Sequence, residues 1–172
     1  MPYPQMKKIG NSLQIGVDES ICSTLKLLKQ EEASAGTWYT NTILDYLMYN
    51  YKDVVAKNFE KYKNRPKKRK IFFETDGYIC IAPDDITKCF NKDNNCKYII
   101  TKHAILSQLA EHGLIQSTAR NNTHVVSING KATPNRYVKI IKAEFQRMVT
   151  ERRINLFGYY IPSSNFWEDL RS

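Results

Sequence analysis

KYIITKHAILSQLAEHGLIQS, residues 97–117, followed closely by THVVSINGKATPNRYVKII, residues 123–141, decides how this chain is read. In the first stretch Ile105, Leu106 and Leu109 recur at helical spacing, Thr101 is placed to cap the helix, and Gly113 stops it. In the second, apolar and polar residues alternate on both sides of Asn129-Gly130, a dipeptide that tolerates positive φ, so two strands joined by a loop are expected.

Working upstream, IFFETDGYICIAP (71–83) reads as two short strands around Asp76-Gly77. PDDITKCFNK (83–92) reads as a short helix with Ile86 and Phe90 inward and Asp84 and Asp85 at its positive end. Polar DNNC (93–96) then turns the chain. Nearer the start, Leu13, Ile15 and Val17 alternate as in a strand, and Asp18 caps a helix carrying Ile21, Leu25 and Leu28. SAG (34–36) breaks it, and a second, long helix is expected through Ile43, Leu47, Tyr51, Val55, Phe59 and Tyr62. Pro66 ends that pattern. The chain is therefore expected to be α+β. It would comprise a helical unit at 1–60 suited to dimerisation, a basic connector at 61–70, a mixed domain at 71–147 and an aromatic-rich extension at 148–172 that packs back onto the core.

The net charge of +9 is unevenly spread. Residues 1–60 sum to −1, 61–70 to +7, 71–100 to −2, 101–147 to +5, and the last 25 balance. A polyanion should meet the two positive segments. The candidate contacts are Lys63, Arg65, Lys67, Lys68, Arg69 and Lys70 in the connector, and Arg120, Lys131, Arg136 and Lys139 around the hairpin. No acidic residue stands between Glu111 and Glu144.

Short helix, turn, second helix and basic hairpin is the order of a winged helix-turn-helix, in which the second helix enters a DNA groove and the hairpin follows the phosphates. Opposite Ile105, Leu106 and Leu109 the helix would present His103, Ser107 and Glu111, with Gln108 at the flank and Lys102 at its start. Gln108 suits an adenine edge; Ser107 and His103 suit bases or phosphates; Glu111 repels phosphate. No HExxH, GxSxG or phosphate-loop pattern occurs, so no catalytic residues and no cofactor are expected. Cys22, Cys80, Cys89 and Cys96 lack metal-site spacing and read as reduced thiols. No apolar run reaches membrane-spanning length and the opening residues lack a signal-peptide stretch, so a cytoplasmic protein without a membrane partner is expected.

Residues 71–140, through DGYICIAP, LAEHGLI and INGKATPNRYVKI, resemble the C-terminal winged-helix region of helicase-primase proteins from phages and mobile elements. The resemblance implies a non-catalytic DNA-binding protein or module in replication or regulation, with duplex rather than single-stranded DNA as partner and a homodimer or a helicase as further partner. Residues 12–51 resemble ribbon-helix-helix repressors, in which Ser12, Gln14 and Gly16 would read the major groove. A third reading is an inhibitor whose basic surface occupies a partner's nucleic-acid channel.

Overall fold

An α-helix over residues 38–54 (α1) buries Ile43, Leu44, Leu47, Tyr51 and Val54, whose spacing of three and four draws one apolar stripe. The computed structural model describes residues 38–65, 69–90, 100–157 and 164–172, leaving aside the side chains of 153–157; all lie in the unit Trp38–Ser172. The expected ribbon residues, the Asp18 cap, Cys22, Cys96, Lys67 and Lys68 lie outside the described residues.

The helix expected to run through Tyr62 stops at residue 54. Val55–Ala56 (β1) instead pairs in parallel with Phe72 and Phe73. Asn58 then caps a new helix, Phe59–Lys63 (α2), its Oδ1 accepting from the Lys61 backbone N–H at 2.9 Å. The break has a packing cause. Val55 stays in the core shared with α1, while Phe59 and Tyr62 pack on Phe73, in a separate cluster of buried residues.

Phe72–Thr75 (β2) and Tyr78–Ile81 (β3) form the expected hairpin, turned through Gly77 at φ +77°. After the 3-10 helix Pro83–Cys89 comes Lys102–Glu111 (α3), then His124–Ile128 (β4) and Lys131–Ile141 (β5). The β4–β5 turn is only Asn129-Gly130, both at positive φ, which matches the twist of a two-residue hairpin. Strand order is β1-β2-β3-β5-β4, mixed parallel and antiparallel, so the fold is α+β. Pro134 sits within β5 without breaking it because pairing shifts register nearby: the Val126 N–H finds the Thr133 hydroxyl at 3.2 Å.

The sheet is buried on both faces. Ile79, Ile81, Val138 and Ile140 join α1, α3 and the helix Lys142–Phe157 (α4) in the main core; each contributes roughly 1.5–3 kcal/mol by burial. Phe73, Cys80, Val126 and Tyr137 form a smaller cluster under α2. Of the closing aromatics, Phe166 and Trp167, in Phe166–Arg171 (α5), pack back on Phe145 of α4, with ring centroids 6.2 and 5.6 Å away, while Tyr159 and Tyr160 lie outside the described residues.

These contacts move the boundaries drawn from sequence. α1 and Val55 share the main core with the sheet, and α4 runs on past residue 147 with Val149 buried. A fragment starting at residue 61 would lose the α1 side of that core.

One polar knot ties α1, α4 and α5 to the sheet. Glu74 accepts from the Tyr51 hydroxyl at 2.6 Å, from Arg171 Nη2 at 2.5 Å and Nε at 3.0 Å, and from Lys142 Nζ at 3.2 Å. Its side chain is 9% exposed, against 25% for Arg171 and 19% for Lys142. Burial pushes the Glu74 carboxyl up, but the bonds from Arg171 and Tyr51 and the Lys142 charge outweigh it and hold the carboxyl below its ordinary value. Burial and the Glu74 carboxylate push the Tyr51 phenol up. Among the described residues no helix is long and apolar enough to cross a membrane.

Glu74→Ala should lower stability by about 2–3 kcal/mol in urea unfolding, since two partly buried cations lose their partner. Because the folded carboxyl is depressed, its contribution is complete above the unfolded carboxylate pKa and is lost as pH falls through the lowered folded value. Glu74→Gln should remove that acid-side loss; an unchanged pH profile would contradict the knot.

Candidate nucleic-acid interface

α3 begins and ends on local signals read from the sequence. The Thr101 hydroxyl accepts from the Ala104 N–H at 3.2 Å, and Gly113, at φ +73°, lets the Leu114 N–H reach the Leu109 carbonyl at 3.0 Å. Ile105, Leu106 and Leu109 are buried, so the other side faces outward. There Lys102, His103, Glu111 and His112 are exposed, and Ser107 and Gln108 are half-buried. Lys102 does not offer a free charge. Its ammonium lies 2.5 Å from the Asp84 carboxylate, and that bond holds the Asp84 carboxyl below its ordinary value.

The chain leaving α3 is stitched onto β5. Ile115 bridges Ile140, the Gln116 N–H donates to the Lys139 carbonyl at 2.8 Å, and the Ile141 N–H donates to the Leu114 carbonyl at 2.9 Å. A turn closed between Thr118 and Asn121 then exposes Arg120.

Alternation along β5 assigns its cations to faces. Arg136 shares parity with Val138 and Ile140, which pack with Ile105 and Leu109; it therefore stands on the α3 side, opposite Val125, which is 43% exposed. Its guanidinium donates to the Thr123 hydroxyl at 3.3 Å and to the Thr123 carbonyl, and the residue is exposed. Lys131 is exposed at the hairpin turn.

Lys139 has the opposite parity. It pairs across the strands with Cys80, and its ammonium stands 5.0 Å from the Tyr78 ring. Lys63 and Arg65 also lie away from α3, lining a cleft of about 280 Å³ with Phe59, Tyr62, Pro134, Asn135 and Tyr137. Arg65 folds over the Tyr62 ring at 3.9 Å and donates to the Tyr62 carbonyl at 2.7 Å. Lys70 donates to the Lys52 carbonyl, and Arg69 is exposed. The structure thus brings His103, Ser107, Gln108 and Arg136 to one side and Lys63, Arg65 and Lys139 to the other.

Reasoning from sequence missed Lys57 and Lys61, which line a larger cleft beside α2. No local signal could have found them, because Lys57 lies in the bend between β1 and α2 and meets Lys61 only through the break at Val55. Among the described residues no group of three His, Cys, Asp or Glu side chains is placed to hold a metal.

Burial pushes the Cys80 thiol up to about 11 and, with the nearby Asp85 charge, the Cys89 thiol up to about 12. Both are buried and free. At mildly alkaline pH the peptides carrying Cys80 and Cys89 should stay unlabelled by iodoacetamide in the native protein and react after unfolding; fast native labelling would contradict this packing.

No family model matches the chain, and neither a curated protein nor a solved structure does.

Proposed function

We propose that this is a non-catalytic DNA-binding protein or module that uses β3, the 3-10 helix, α3 and the β4–β5 hairpin as a winged helix. The observation that carries the reading is topological. β5 lies between β3 and β4, and α3 packs on the face of β5 from which Arg136 projects, so helix and hairpin address one surface. Arg120 and Arg136 are exposed and, among the described residues, neither pairs with a carboxylate, so phosphate contact at these positions is electrostatically favoured; Lys131, exposed at the turn, stands across from Ile128, which packs toward the α2 side.

The helix itself is less cationic. With Lys102 paired to Asp84 and Glu111 exposed, α3 would contribute shape and polar contacts from His103, Ser107 and Gln108, while affinity would come from the hairpin. In this reading, which draws on the resemblance of residues 71–140 to the winged-helix region of helicase-primases, the protein acts on duplex DNA in the cytoplasm, in replication or regulation of a phage or mobile element. A homodimer or a helicase is the further partner in this reading.

Duplex binding followed by fluorescence anisotropy should weaken as salt rises, each phosphate contact steepening the slope of log K against log salt by about 0.9. Arg136→Ala and Lys131→Ala should each reduce that slope by about 1 on every sequence, whereas Gln108→Ala should change sequence preference. Absence of binding at low salt, or binding indifferent to salt, would overturn the proposal.

A further inference from the structure

We infer that a groove running from the β4–β5 turn along α2 holds the phosphate backbone of a single nucleic-acid strand, so that the preferred partner is a duplex continued by a single-stranded tail. The choice of ligand rests on the winged-helix reading; the groove itself lies outside the surface of α3. Its longer part is a cleft of about 710 Å³ between the end of α1, β1, α2 and β2. Its shorter part, of about 440 Å³, reaches Ser127 and Asn129 at the hairpin turn. Lys57, Glu74 and Arg171 line both, so the two are continuous there.

Charge sets the class of ligand. Six cations and two carboxylates, Glu60 and Glu74, line the longer part, a net of +4. Lys57 and Lys61 are exposed, and among the described residues neither has a carboxylate or a hydrogen-bond partner. Lys52 and Lys70 donate to the Ser172 and Lys52 carbonyls, bonds that hold them at the rim and leave their charge in place. On the 3-10 helix, α3 and α4, by contrast, each described lysine and arginine side chain lies against a carboxylate: Lys88, Lys102, Lys142, Arg147 and Arg152. The positive charge not cancelled within the unit is left around this groove, the hairpin and its entrance.

Shape and burial set how the ligand is held. A concave cleft between α1 and α2 admits one phosphate backbone and excludes the breadth of a duplex. Beneath the cations Tyr51, Val55 and Ala56 are buried and offer no face for stacking, so the strand is held by its phosphates with its bases turned outward. The exposed amides of Asn58, Asn64 and Asn129 and the Ser127 hydroxyl add neutral donors along the same path. Binding of this kind is independent of sequence. The hairpin turn, where Lys131 is also exposed, is the point at which a strand leaving the duplex enters the groove.

Fluorescence anisotropy on the full chain at low salt compares a blunt duplex with the same duplex carrying a tail of about ten thymidines at its 3′ or its 5′ end. One polarity of tail should tighten binding about tenfold and steepen the slope of log K against log salt by about 0.7 per added phosphate contact; a tail of cytidines should do the same. In Lys57→Gln/Lys61→Gln the ratio of tailed to blunt affinity should fall to about one. Both lysines are exposed, so the variant should fold; if its thermal transition is lost, Lys61→Gln alone is read by the same ratio. The inference is overturned if neither tail changes affinity, if the double variant keeps the gain, or if only one of the two tail sequences produces it. It is also overturned if a polyglutamate peptide of equal charge binds more tightly than the free single strand and loses that advantage in the variant, which assigns the groove to an acidic protein segment. Should the blunt duplex not bind at all, the winged-helix reading fails, and the groove is judged on the free single strand, whose affinity must still fall about tenfold in the variant.

Discussion

β5 is hydrogen-bonded on both edges along its C-terminal half, and most of the unit depends on that. One edge pairs Ile140 with Ile79 and Val138 with Ile81; the other takes the chain leaving α3 through Ile115 and Gln116. Its N-terminal half carries β4. A strand committed in this way cannot slip by one residue without sending Val138 and Ile140 to the α2 side and Tyr137 into the main core. The position of α3 relative to the hairpin follows from the same stitching, because Leu114 to Gln116 tie the helix end to the strand.

A sheet buried on both faces has an electrostatic consequence. Side chains one residue apart on β5 answer to different layers, so Arg136 is presented beside α3 while Lys139 is turned toward Tyr78 and the α2 side. Cations close in sequence are thereby divided between surfaces, and cations far apart are gathered. Lys57, Lys61 and Arg65 collect around one cleft although they come from a loop, a short helix and the segment after it. The Glu74 knot makes the gathering possible by fixing α1, α4 and α5 against the end of β2.

What the sequence disclosed was local. Thr101 and Gly113 set the ends of α3 through their own backbone bonds, Gly77, Asn129 and Gly130 set two hairpins, and the α+β class followed from the change in apolar period. The break of the long helix at Val55 was not legible, because Val55, Phe59 and Tyr62 continue a helical stripe and only the parallel strand at Phe72 makes the extended conformation favourable. Nor was the division of the basic residues, which depends on long-range register, or the pairing of Lys102 with Asp84 across 18 residues. The domain boundary at residue 60 failed to mark a separate core for a related reason: charge composition changes there, while burial does not.

In the proposed binding mode, α3 and the β4–β5 hairpin face DNA together. Backbone amide NMR spectra of the full chain, recorded during titration with a short duplex at low salt, test it most directly. Shifts should concentrate in residues 102–112, around Arg120 and along 124–137. Shifts confined to residues outside those segments, with α3 and the hairpin unperturbed while the duplex is bound, would contradict it.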